Sequence, residues 1–196
     1  MNIIALNNIA FQKKLIASSN IIKDGQISPC SIYELDVNNR DDLRYFTKLK
    51  GGDNWRKGTF FKDIENDMLA AADGRYYVLE DSKDGCLAAC EVYENTENGT
   101  DELIYLETGT TYSSQNSDRK SRYIGETLLS FLVGMAKKTK KAKFTIVDPT
   151  PYAYMFYINH GFRENVFDEN LSVKSSDFNR ILEKNEKHVG RMEYFV

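Results

Sequence analysis

Apolar positions along this chain recur at two periods, and the change from one to the other marks out its elements. Three runs, RYYVLE, CLAACEVYE and ELIYLETGTTY, are rich in aliphatic and aromatic residues and bounded by Asp, Gly, Asn or Ser clusters, which predicts three strands. Their short connections predict antiparallel hairpins. CSIYELDV, beginning at Cys30, predicts a first strand after a turn at Gly25 and Pro29. RDDLRYFTKL follows the cap candidates Asn38 and Asn39 and places Leu43, Phe46 and Leu49 at helical spacing. A second helix is predicted over FFKDIENDMLAAA, ended by Asp73 and Gly74. After the polar loop SSQNSDRKS, Ile124, Leu128, Leu129, Leu132, Met135 and Ala136 recur three or four apart and predict a long helix. KFTIVD predicts a buried strand, PTPYAYMFYINHGF a helix and FRENVF a strand. A helix near SSDFNRILEKNEK and a last strand in GRMEYFV complete the chain.

The N-terminal MNIIALNNIAFQKKLIASSN fits none of these periods clearly. Residues 1–28 are therefore expected to form a leader, or a short amphipathic helix using Ile4, Phe11 and Leu15, ahead of a single domain over 29–196. The leader has no basic residues before its apolar part and is interrupted by Asn7, Asn8 and Gln12, which makes it a poor secretory signal. No stretch approaches the length needed to span a bilayer. The expected compartment is the cytoplasm, with a signal for a specialised export system left open.

A chain of 196 residues can bury one sizeable core. Its net charge of −3 argues against a dedicated nucleic-acid binder. Cys30, Cys86 and Cys90 are odd in number and form no metal-ligand spacing, and the only histidines are His160 and His188, so no metal is expected. Reduced, partly buried thiols in a reducing compartment are the expectation, with Cys86 and Cys90 on one face of their strand.

Charge is uneven, and that is where the candidate chemistry lies. Arg119, Lys120 and Arg122 crowd one turn directly before the long helix. The free N–H groups and positive dipole end of a helix's first turn form an anion site, and Gly125 permits close backbone approach. A solvated basic loop is the alternative. The segment PTPYAYMFYINHGF, residues 149–162, holds five aromatic rings behind two prolines. KKTKKAK, residues 137–143, reads as a solvated helix end.

Together these stretches resemble the GNAT superfamily of acyl-CoA-dependent N-acyltransferases. Its pyrophosphate loop reads R/Q-x-x-G-x-G/A before a helix with a Leu-Leu pair. KSRYIGETLL aligns with it, placing Lys120 at the basic position, Gly125 at the last glycine and Leu128-Leu129 at the pair. Tyr123 departs from the pattern, standing where the family has a glycine that lets the backbone curl around a diphosphate. The second signature, N-x-x-A-x-x-F-Y-x-x-x-G-F, is matched by Ala153, Phe156, Tyr157, Gly161 and Phe162, with Thr150 in place of Asn.

The resemblance implies an α/β (α+β) fold: a mixed, mostly antiparallel sheet of six to seven strands with helices on both faces. It also implies a V between ELIYLETGTTY and KFTIVD that admits a pantetheine arm. The implied reaction is acetyl transfer from acetyl-CoA to a primary amine of a protein or small molecule. Thr110, Thr111, Arg119, Lys120, Arg122, Tyr123, Ile124, Gly125, Glu126, Ala153 and Phe156 would bind the donor. Tyr157 matches the tyrosine that protonates the departing thiolate, against the alternative that it is core. Glu107, then Glu102, are the candidates to take the amine's proton, against exposed edge glutamates. Asp148 reads as a cap for the following helix, and His160 as a partner for that helix's C-terminus. Asp53, Trp55, Asp168 and Glu169 could attract a cationic acceptor. No nucleic-acid or membrane partner is expected, and a homodimer is left open. The rival readings are a GNAT-fold protein that works through protein contacts and a basic-loop nucleotide or RNA binder.

Overall fold

A two-residue turn sets the first hairpin. Asp24 and Gly25 both have positive φ, 49° and 79°, a geometry that matches the twist of paired strands. They join β1 (Lys14–Lys23) to β2 (Gln26–Leu35), with Lys23 opposite Gln26. The computed structural model describes residues 13–49, 64, 66–67, 73–109, 121–166 and 168–196. Within them the expected leader is replaced by strand from residue 14, and the boundary expected at 28/29 falls inside β2. At Leu15, 41% exposed, the chain is strand and not helix, and Ile16, Ala17 and Ile21 turn into the core. Ile4 and Phe11 lie outside the described residues.

Asn39 opens α1 (Arg40–Leu49), its side chain accepting from Asp41 N–H at 2.9 Å. The second predicted helix is described only at Ile64, Asn66 and Asp67, which are helical. The three predicted hairpin strands are β3 (Gly74–Asp81), β4 (Gly85–Asn95) and β5 (Thr100–Thr108), paired antiparallel. There follow β6 (Ser121–Arg122), α2 (Ile124–Lys138), β7 (Lys143–Ile146), α3 (Pro151–Asn159), β8 (Arg163–Glu164) and β9 (Leu171–Lys174). A short 3₁₀ turn leads into α4 (Phe178–Val189), and β10 (Glu193–Tyr194) closes the chain.

The sheet runs β10-β1-β2-β3-β4-β5-β7-β9-β8, with β6 paired to β1 off this path. Only β5 and β7 are parallel among these pairs. Among the described residues ten strands stand where six or seven were expected, the additions being β1, β6 and β9. Side-chain alternation sends Tyr76 and Val78 to one face and Tyr77 and Leu79 to the other. Phe46 of α1 covers the first face; α2, Tyr157 of α3, and Phe178 and Ile181 of α4 cover the second.

A bulge corrects one expectation about this sheet. Cys86 faces Glu80 and Ala88 faces Leu79, so Leu87 is an extra residue that inverts the alternation. Cys86 therefore packs with Phe46 on the α1 side, while Cys90 lies on the α2 side. All three cysteines are free and buried. Burial raises the pKa of each thiol, leaving it protonated and unreactive.

The long helix α2 is buried without interruption from Thr127 to Ala136, lying between the sheet and α4. Gly134 is required there, since a side-chain carbon would collide with the Tyr194 hydroxyl. Beyond its end, Lys141 departs from the solvated reading of KKTKKAK. It is only 8% exposed and bridges Glu94 and Asp101. No helix among the described residues is long and apolar enough to cross a membrane.

On the α1 face, Glu91 is fully buried, accepts from the Tyr76 hydroxyl at 3.3 Å and has an unpartnered Oε2. Burial, aided by the negative charge of Asp67, pushes its carboxyl up to about 7. The folded chain thus keeps a proton that the unfolded chain releases near about 4.3, the ordinary value for Glu. The stability this proton confers is complete below the unfolded value and is lost as pH rises through about 7. The melting temperature is expected to fall between about pH 5 and about pH 8, and Glu91→Gln to flatten that fall. An unchanged slope in the variant would assign the pH dependence to other groups.

Candidate functional site

The site begins with a second bulge. Glu91 faces Tyr105 but the next residue, Val92, faces Leu103, so Ile104 is the extra residue in β5. Up to that point β5 and β7 run together, Thr100–Leu103 against Lys143–Ile146, and Val147 N–H donates to Leu103 at 3.0 Å. Beyond it they part. Residues 104–108 continue along β4 while the chain after β7 turns into α3, leaving a V that opens toward the start of α2.

At the mouth of the V, α2 starts without a side-chain cap. The N–H groups of Ile124, Gly125 and Glu126 precede the first intrahelical bond, Thr127 N–H to the Tyr123 carbonyl at 2.9 Å. Ile124 sends its side chain into the core, so only its backbone can serve the mouth. Packing does not demand glycine at 125. An added carbon would meet Phe156 at 3.5 Å and Thr108 at 3.9 Å, both ordinary contacts. What glycine leaves here is open space between β5 and α3.

Tyr123 takes the backbone conformation for which the family's glycine is suited: φ 65°, ψ 17°, left-handed. A side chain in that region costs about 1–2 kcal/mol, and the surroundings hold it in place. Its ring stacks on His188 of α4 at 4.6 Å and 16°. The preceding Ser121 and Arg122 form β6 against Lys23 and Ile22. Thr127 Oγ1 donates to the Asn20 carbonyl at 3.2 Å, and Asn20 Nδ2 to that of Val189 at 2.8 Å. Thr110, Thr111, Arg119 and Lys120 lie outside the described residues, as do Asp53 and Trp55.

Tyr157 is the one buried residue of α3. Its ring meets Phe156 and Phe162 edge-on, with centroids at 5.1 and 5.9 Å. Burial, with a smaller contribution from Cys90, raises its pKa and keeps the phenol neutral. Ala153 and Phe156 flank it, half-buried against the same core, whereas Phe162 is fully interior. Glu107 lies opposite Ala89 on β4, which packs on the α1 face. The carboxylate and the phenol therefore stand on opposite faces of the parted edge. Glu102 sits in the closed part of the V, faces Thr145 and accepts from Asn95 at 3.2 Å.

At the end of α3, His160 Nδ1 donates to the Phe156 carbonyl at 2.7 Å, and burial lowers its pKa. Asp148 does not cap α3; Thr150 is the N-cap, and its side chain makes no capping hydrogen bond to the first turn. Asp148 is itself left-handed, φ 43°, and its N–H donates to Asn170 at 3.0 Å. It joins Glu164, Asp168 and Glu169 around a cleft of about 570 Å³ at the end of β7, with Tyr154 and, among the described residues, no cationic residue in the lining. The gathering of Asp148 and Glu164 with Asp168 and Glu169 went unpredicted, because it is made by loops distant in sequence.

No family model and no curated protein matches the chain. Solved structures do. A chimera of Vibrio cholerae spermidine N-acetyltransferase SpeG with hSSAT aligns at TM-score 0.52 and 15% identity over 76% of this chain and 98% of that one. AtaTR bound with AcCoA aligns at TM-score 0.58 and 13% identity over 78% and 97%. Tetrahymena GCN5 aligns at TM-score 0.54 and 10% identity over 72% and 93%. The fold is that of the GNAT acetyltransferases, as the two motifs implied.

Tyr123→Gly and Tyr123→Ala both remove the stack on His188, but only glycine is free of the left-handed penalty. The glycine variant is expected to be the more stable by about 1 kcal/mol in denaturant unfolding. Equal stabilities would show that this backbone carries no strain.

Proposed function

We propose that this chain, which has the GNAT fold, is an acyl-CoA-dependent N-acyltransferase, most simply one that moves an acetyl group from acetyl-CoA to a primary amine. The observation that carries the reading is the parting of β5 and β7 at Leu103, with an uncapped helix start at its mouth and Tyr157 beside it. In this reading the first turn of α2, from Tyr123 to Glu126, takes the diphosphate together with Arg119, Lys120 and Arg122. The parted edge of β5, continuing to Thr110 and Thr111, pairs with the pantetheine arm and polarises the thioester carbonyl. Ala153 and Phe156 border the arm.

Glu107 accepts a proton from the amine on the α1 face, and Tyr157 donates one to the departing sulfur from the other. Because its proton affinity is raised, Tyr157 acts as a neutral donor across the working pH range. The acceptor enters at the acidic cleft, where Asp148, Glu164, Asp168 and Glu169 favour a cationic amine.

Acetyl-CoA at about one hundred times its Kd is expected to add about 2.7 kcal/mol of stability, read as a rise in melting temperature. No rise at any concentration would remove the carrier from the reading. With labelled acetyl-CoA and a panel of amines and peptides, label should appear on a primary amine. Tyr157→Phe should cut turnover by about one hundredfold with little change in the Kd for acetyl-CoA. Unchanged turnover would assign Tyr157 to packing alone.

A further inference from the structure

The last helix brings side chains of its own to the anion site. Lys184, Asn185 and His188 share one side of α4, Lys184 and His188 being one helical turn apart. That side meets the start of α2 and the end of α3 across a cavity of about 90 Å³, lined by these three with Tyr123, Glu126 and His160. A pocket that encloses a whole small ligand is usually larger than about 300 Å³, so this cavity suits one group of a larger molecule.

Asn185 is only 6% exposed, yet its Oδ1 has no hydrogen-bond partner. Leaving a buried carbonyl oxygen unmatched costs about 1–3 kcal/mol, which a ligand bringing a donor would offset. Lys184 Nζ is held beside the cavity by its bond to the Asn159 carbonyl at 2.8 Å and keeps further N–H donors. His188 is fixed by its stack on Tyr123. Glu126 is the one carboxylate in the lining among the described residues, and its charge acts on His160 across the cavity. The positive end of α2 adds to Lys184 in favouring an anion.

We propose that this cavity is a second anion subsite that takes a ribose phosphate monoester. Lys184 and His188 hold the phosphate, and Asn185 Oδ1 accepts from the neighbouring ribose hydroxyl. The assignment rests on the carrier reading above: coenzyme A bears a 3′-phosphate beside a free 2′-hydroxyl, apart from its diphosphate. Nothing in the two sequence motifs reaches α4, so these residues belong to this chain's own C-terminal elements.

The test compares the Kd of coenzyme A with that of dephospho-coenzyme A, which lacks only the 3′-phosphate, by calorimetry on the full chain. The unaltered protein is expected to bind coenzyme A at least about tenfold more tightly. Lys184→Ala and His188→Ala should each bring that ratio toward one; Lys184→Ala should leave dephospho-coenzyme A binding unchanged, and Lys184→Arg should preserve the ratio. Both positions are solvent-exposed, so the variants retain the fold. Equal affinities in the unaltered protein, or a ratio the alanine variants do not move, would overturn the subsite while leaving the carrier reading intact. Failure of both compounds to bind would overturn the carrier reading and the subsite with it.

Discussion

One extra residue in a strand governs the architecture of the site. With Ile104 inserted, β5 must bend and change the face its side chains present, so it cannot stay paired with β7 past Leu103. Parallel strands need a long crossover, and here that crossover carries α2, whose start is delivered to the end where the strands part. The gap and the helix terminus are thus consequences of a single irregularity in register.

A helix terminus is useful to an anion only if it is held, and here the chain's two ends do the holding. β1 pins the residues before α2 through β6, and α4 supplies the ring on which Tyr123 stacks. The bonds from Thr127 to Asn20 and from Asn20 to Val189 tie the same three elements together. This explains how a tyrosine can stand in a conformation usually left to glycine. The left-handed cost is local, whereas the contacts that fix it come from both sides. The same arrangement makes the N-terminal strand part of the site's support.

The sheet separates the site's chemistry by face. The α1 side holds Glu107 and the buried Glu91–Tyr76 pair; the α2 side holds the neutral phenol of Tyr157 and the start of α2. The acidic cleft gathers beyond the end of β7. In the proposed reaction an amine approaching from the α1 side would meet Glu107, and a thiolate departing on the other would meet the Tyr157 hydroxyl. That division suits a displacement in which a proton is taken on one side and given on the other.

Period and punctuation in the sequence determined the central elements: α1, the hairpins from β3 to β5, α2 with its buried face, and α3 ending at Gly161. These are local choices, set by side-chain spacing and by residues that cap or break. The two motifs then implied the fold, because they sit in segments that a crossover must bring together. The Asp24-Gly25 step was a readable hairpin signal, overshadowed by the apolar residues ahead of it. The placement of Cys86 and Cys90 on opposite faces, the parting of β5 from β7 and the gathering of Lys184, Asn185 and His188 against Tyr123 were decided only in three dimensions. A bulge is defined by two strands at once and a cavity by helices remote in sequence, so neither leaves a periodic trace in one segment. The sequence carries what each stretch prefers alone; the fold decides which preferences must yield where stretches meet.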